Sequence, residues 1–158
     1  MAPHNRKENV AIIIPVYNGI KYLPSAIESI KHQQLNSPSI KKTIIIVNDG
    51  SNDKTQEWIH NATVNEIDYE ILSINLKHNS GPGFARNRGI ELAIELNCKF
   101  ITFLDHDDIL PSQSIQKRID FLKQNSHKIV SGLQEFRLEP NISMPTWCRP
   151  SWFEKPQK

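Results

Sequence analysis

Asp105-His106-Asp107-Asp108 sets three carboxylates within four residues, directly after the apolar run Phe100-Ile101-Thr102-Phe103-Leu104. Carboxylates packed this closely repel one another unless a cation shares them. Hard oxygen ligands suit Mg²⁺ or Mn²⁺. Mg²⁺ commonly takes one or two protein carboxylates and completes its shell with substrate phosphates. A buried strand ending in such a cluster points to a metal-bridged phosphate compound at a sheet edge. By itself, Asp-x-Asp-Asp is also a common solvated turn, so the companion segments matter.

Three further polar clusters sit at comparable places. Pro15-Val16-Tyr17-Asn18 follows one apolar run and Asn48-Asp49-Gly50-Ser51 follows another. Gly81 to Asn87 opens a helical stretch. In open α/β sheets, ligands bind beyond the carboxyl ends of the strands. One small ligand could then touch all four clusters, and each suits part of a nucleotide. Tyr17 can pack on a base. Asp49 can accept a hydrogen bond from a ring N–H, which favours uracil or thymine over cytosine. Gly81 and Gly83 allow close backbone approach, and Arg86 can pair with phosphate. Asp107 can hold the bridging metal, and Asp105 can assist it or bind ribose hydroxyls.

The elements that must position these groups follow from the apolar pattern. Val10 to Ile14 reads as a strand buried on both faces and ended by Pro15. Thr43 to Val47 reads as a second such strand, Tyr69 to Asn75 as a third and Phe100 to Leu104 as a fourth. Leu23, Ala26, Ile27 and Ile30 recur at helical spacing behind Pro24. Asp53 and Gln56 resemble a capping box that opens a helix through Trp58 and Ile59. His78 to Gly83 reads as a loop, and Ala85, Gly89, Leu92, Ala93 and Leu96 mark one face of the helix after it. Pro111-Ser112 opens a last helix with Ile115, Ile119 and Leu122 inward, and Lys128 to Ser131 suits a fifth strand. Strands alternating with helices imply an α/β layer structure with a mostly parallel sheet. The expected domain covers residues 10–138. From Glu139 to Lys158, repeated prolines among Trp147, Trp152 and Phe153 give an irregular tail.

The totals exclude several classes. At 158 residues with 38% hydrophobic and 23% charged residues, the chain is globular and fits one domain. A formal charge of +2 is too small to argue for nucleic acid or a membrane surface by electrostatics alone. Cys98 and Cys148 lie far apart and form no metal-ligand pattern, which fits a reducing compartment. No apolar run is long enough for a signal-peptide core or a membrane span, so the expectation is a soluble, cytoplasmic protein.

The motifs Ile12-Ile13-Ile14-Pro15-Val16-Tyr17-Asn18, Val47 to Asp53, Asn79-Ser80-Gly81, Ala85 to Ile90 and Phe103 to Asp108 resemble, in this order and spacing, family 2 glycosyltransferases. The resemblance covers roughly residues 10 to 131. It implies a nucleotide-binding, Rossmann-like GT-A half-domain, a UDP-sugar donor, and Mn²⁺ or Mg²⁺ at the Asp-x-Asp motif. It places the donor on Pro15, Tyr17, Asn18, Asp49, Gly81, Arg86 and Asp105, and the metal on Asp107 with Asp105. Asn48 stands where aspartate is common, and His106 where a small residue is common; His106 is expected to point to solvent. Inverting members carry a catalytic base on a later acidic segment that deprotonates the acceptor hydroxyl. Nothing after Asp120 matches it, so the resemblance implies a C-terminally truncated, donor-binding half. Met144-Pro145-Thr146-Trp147 and Ser151-Trp152-Phe153 resemble a stretch of the eukaryotic β-1,3-N-acetylglucosaminyltransferase-like branch. Acceptors consistent with these resemblances include a glycan or a modified tRNA nucleoside.

Two rival readings fit less of the pattern. A haloacid-dehalogenase-type phosphotransferase carries its Asp-x-Asp on the first strand, whereas Asp105 follows the fourth. A dinucleotide dehydrogenase needs a third glycine where Arg86 stands. A catalytically inactive fragment that binds UDP and metal without turnover fits all four clusters equally well. Arg86 is also readable as an exposed helix residue, and Tyr17 as a rim residue.

Overall fold

A computed structural model describes residues 8–37, 40–62 and 69–125. The elements run β1 (Glu8–Val16), α1 (Leu23–Lys31), β2 (Ile40–Asn48), α2 (Thr55–Ala62), β3 (Tyr69–Asn75), α3 (Pro82–Glu95), β4 (Phe100–Phe103) and α4 (Ser114–Gln124). The described strands form one sheet in the order β3-β2-β1-β4, with every neighbouring pair parallel. The alternation anticipated from the sequence is therefore present. The expected fifth strand at Lys128–Ser131 and the tail from Glu139 lie outside the described residues.

Both faces of β1 and β2 are covered, which explains their unbroken β-branched runs. On one face Val10, Ile12, Ile14, Ile44 and Ile46 pack against Leu23, Ala26, Ile27 and Ile30 of α1. Ile59 of α2 and Ile115 and Ile119 of α4 complete that layer. On the other, Ala11, Ile13, Ile45 and Val47 meet Ala85 and Ala93 of α3. Helix α3 lies so close to β1 that a Cβ at Gly89 would stand 2.4 Å from Ile13 Cγ2.

Several boundaries differ from the sequence reading: β1 starts at Glu8, β2 runs Ile40–Asn48 rather than Thr43–Val47, and β4 stops at Phe103. β1 continues through Pro15 to Val16. Pairing with β4 stops at Ile13, whose carbonyl accepts the Leu104 N–H at 3.1 Å. Main-chain groups alternate sides along a strand, so Pro15 points to the same side as Ile13, beyond the end of β4. A missing N–H costs nothing there. Helix α3 begins at Pro82, because proline suits the first helical turn and Gly81 at φ 90° provides the entry. Helix α4 begins at Ser114 rather than Pro111, after a turn in which the Ser114 N–H donates to the Pro111 carbonyl at 3.1 Å.

A further difference concerns burial. β4 is half-exposed, with Ile101 at 38% and Phe103 at 43%. It is the edge strand of the described sheet, so neither residue has a strand beyond it. Both stand opposite Ala11 and Ile13 in register, on the face that α3 covers incompletely.

The α3–β1 approach gives the first prediction. Gly89→Ala overpacks against Ile13 and should destabilise the domain by about 1–3 kcal/mol, read as a lower urea midpoint at unchanged slope.

Candidate functional site

Because β1, β2 and β4 are parallel, their carboxyl ends share one rim. Pro15, Val16 and Tyr17 from the end of β1, Asp49 after β2, and Asp105, His106 and Asp107 after β4 line a single cleft there. Asn79, Pro82 and Arg86 at the start of α3 complete it. Its volume is about 370 Å³, at the lower end of the ligand-pocket range of about 300–1,000 Å³.

Six of the residues singled out in the sequence meet here: Pro15, Tyr17, Asp49, Arg86, Asp105 and Asp107. Asn18 and Gly81 are close by but do not line the cleft. The Asn18 side-chain oxygen accepts the Asn52 N–H at 2.9 Å, and its own N–H donates to Ser51 Oγ at 2.9 Å. The Gly81 N–H donates to Asp49 Oδ2 at 2.8 Å. Gly81 is needed for its φ of 90° rather than for a close contact, since a Cβ there would meet nothing within 4 Å.

The cleft also contains residues that the sequence reading left out. His106 faces the cleft instead of solvent, and its ring would lie 2.5 Å from a Cβ on Gly19. That contact explains how this chain accepts a large residue between the two aspartates: Gly19 leaves the space. Asn79 and Pro82 lay within segments singled out in the sequence, but neither was given a role at the site.

Side chains bonded to neighbouring loops sew the walls of the cleft together. The Gly19 N–H donates to Thr55 Oγ1 at 3.0 Å, and the Thr55 N–H donates to Asp53 Oδ1 at 2.9 Å. Asp53 is partly buried, which alone would raise its pKa. Hydrogen bonds from the Thr55 hydroxyl and from the N–H groups of Thr55, Ile20 and Asp53 outweigh this and hold the carboxyl below its ordinary value. The loop after β1 is thus tied to the loop after β2. Asp49, 3% exposed, ties β2 to the next wall, its two oxygens accepting the Ser80 and Gly81 N–H groups at 2.8 Å each. Asn48 accepts the Ser51 N–H at 3.1 Å and donates to Asn75 Oδ1 at 3.0 Å, which gives its amide a use in place of the commoner carboxylate.

Charge in the cleft is only partly balanced. Arg86 donates to Asp105 at 2.5 Å. Asp107 has no hydrogen-bond partner among the described residues. The Asp108 carboxyl is pushed up by lost solvation and by Asp107 and Asp105, with His106 opposing. The described residues hold no preformed cluster of three acidic, histidine or cysteine ligands. Asp107, with Asp105 shared with Arg86, fits a cation that completes its shell with ligand phosphates.

Comparison with known proteins identifies the lineage. The sequence model of glycosyl transferase family 2 matches residues 11–153. The chain belongs to this family. It is 34% identical over 127 residues to an uncharacterized glycosyltransferase of Haemophilus influenzae, covering 80% of this chain and 47% of that protein. It is 38% identical over 128 residues to the minor teichoic acid biosynthesis protein GgaA of Bacillus subtilis, covering 78% and 27%. S. aureus TarS 1-349 in complex with UDP-GlcNAc shares the fold at a TM-score of 0.63 and 24% identity, covering 73% of this chain and 31% of that one. The mannosyltransferase PcManGT from Pyrobaculum calidifontis, in complex with GDP-Man and Mn²⁺, does so at 0.61 and 18%, covering 72% and 32%. The family 2 domain therefore has the expected GT-A architecture. The chain spans less than half the length of each of these proteins. No helix among the described residues is long and apolar enough to cross a membrane.

Thr55 and Asp53 give two tests. Thr55→Val keeps the shape and leaves the Gly19 N–H without an acceptor. It should cost about 1–3 kcal/mol in urea unfolding. A carboxyl held low stabilises the folded state above its unfolded pKa of about 3.9, and this is lost as pH falls through the folded value. The stability gap between wild type and Asp53→Asn should therefore be present at neutral pH and shrink in acid, below roughly pH 4.

Proposed function

We propose that the described domain is the donor-binding half of an inverting, metal-dependent family 2 glycosyltransferase that takes a UDP-sugar. The observation that carries this reading is the meeting of Tyr17, Asp49, Arg86, Asp105 and Asp107 in one cleft. Tyr17, 42% exposed, offers a face to the base. Each Asp49 oxygen keeps a lone pair beyond the loop N–H it accepts, so a ring N–H of uracil can still be taken. Arg86 and Asp105 receive the ribose and diphosphate side. Asp107, with Asp105, would hold Mg²⁺ or Mn²⁺, which supplies Lewis-acid neutralisation of the departing diphosphate.

The volume suits a nucleoside diphosphate, which leaves the transferred sugar towards the open side where an acceptor hydroxyl must approach. The carboxylates lining the cleft are Asp49, Asp105 and Asp107, and all three have donor-side roles. The catalytic base is therefore proposed to lie outside these three residues. The same observation favours a second reading, in which this stretch binds UDP and metal without turnover. The eukaryotic-branch resemblance rests on residues 144–153, outside the described residues. The sequence relatives named above are bacterial and lend that branch no support, so the acceptor is proposed only as a hydroxyl compound.

Calorimetric titration of UDP with and without Mn²⁺ tests the reading. Metal-dependent binding that Asp107→Ala abolishes is expected, with CDP binding more weakly than UDP. Equal UDP affinity in wild type and Asp107→Ala refutes the metal role. UDP-sugar hydrolysis or transfer by the intact chain separates an enzyme from a binding domain.

A further inference from the structure

Asp107 has no hydrogen-bond partner among the described residues, so no side-chain contact places this carboxylate and the main chain sets the position from which it projects. That main chain is held at both ends. Before the motif, the Leu104 N–H donates to the Ile13 carbonyl at 3.1 Å. Inside it, the Asp108 N–H closes a turn on the Asp105 carbonyl at 3.0 Å. After it, Ile109 is exposed, and the next fixed point is Leu110.

Leu110 and the residues after it are fastened to the far end of α1. Gln33, 4% exposed, donates through Nε2 to the Pro111 carbonyl at 2.8 Å and the Leu110 carbonyl at 3.2 Å. Its Oε1 accepts the Ile115 N–H at 3.2 Å. Ser29 Oγ donates to the Ala26 carbonyl at 2.7 Å and accepts the Leu110 N–H at 3.1 Å. Gln33 is itself pinned. Buried Lys42 of β2 donates to the Ile30, Lys31 and Gln33 carbonyls at 3.3, 2.9 and 3.0 Å, capping the carboxyl end of α1.

We infer that Gln33 and Ser29 are positioning residues for the acidic loop. By fixing Leu110–Ile115 they orient Asp105 and Asp107 towards the cleft, although neither touches a ligand. Only Asp108 and Ile109 separate Asp107 from the anchored Leu110, so a shift at the anchor is passed to the carboxylate with little slack. A buried amide serving three main-chain groups of one loop is also costly to replace, because each loses its partner without gaining water. The inference rests on the donor-binding reading for its functional half, and on the loop contacts alone for its structural half.

The test uses the full chain with Gln33→Leu, Ser29→Ala, Ser29→Thr and a remote core control, Ile71→Val on β3. Amide hydrogen exchange of residues 105–115 is measured without ligand. Mn²⁺ affinity is measured by electron paramagnetic resonance in the presence of UDP. Gln33→Leu should lose protection across the acidic loop and weaken Mn²⁺ binding roughly 10-fold. Ser29→Ala should do the same to a smaller extent, Ser29→Thr should restore both, and Ile71→Val should leave both unchanged. Unaltered Mn²⁺ affinity in Gln33→Leu, or an equal loss in Ile71→Val, overturns the inference. A wild-type chain that binds neither UDP nor Mn²⁺ defeats the donor-binding reading instead. The exchange data then decide the anchoring alone: lost protection in Gln33→Leu supports it, and unchanged protection overturns it.

Discussion

The parallel register of β1 between β2 and β4 is the constraint on which the cleft depends. Ile13 pairs with both Ile45 and Phe103, so the carboxyl ends of three strands open onto one rim. Had any of these strands run the other way, its polar cluster would lie at the opposite edge. Parallel strands need long crossovers, and the helices that supply them cover both faces. The unbroken apolar runs of β1 and β2 are therefore a consequence of the same topology that gathers the site.

Register brings the loops near one another, but it does not fix their shapes. That task falls to side chains bonded to the main chain of neighbouring loops. Thr55 and Asp53 hold the β1 loop, Asp49 holds the entry to α3, and Gln33 holds the stretch beyond the acidic loop. A single such bond contributes only about 1 kcal/mol net. Rigidity comes from several at each loop, and from burial that makes each one expensive to lose. Asp49 combines two tasks: it lines the cleft while both its oxygens carry the next wall.

Much of this was legible in the sequence, for physical reasons that also mark where legibility ended. Apolar runs such as Thr43–Val47 identify buried strands, and Leu23, Ala26, Ile27 and Ile30 identify a helix face, because both patterns follow directly from burial. Tyr69–Asn75 was bounded correctly because its residues alternate as a strand does. Pro15 misled, since a proline looks like a strand end unless one knows that its neighbour has already departed. Phe100–Leu104 looked fully buried because apolar content does not reveal an edge position. For the site, residues of distinctive chemistry were found. Asn18 shared their motif, yet its amide serves the protein rather than the cleft. Gln33 and Lys42 were invisible, because their importance lies in contacts reaching from one element to others far along the chain.

His106 shows how a departure from a family pattern can be absorbed locally. A large ring between two aspartates ought to crowd the cleft. It is accommodated because Gly19, across the gap on the β1 loop, has no side chain to meet it. The two positions lie 87 residues apart, so neither residue alone signals the fit. The arrangement also brings the acidic loop after β4 against the loop that presents Tyr17, so two walls of the cleft meet directly at His106 and Gly19.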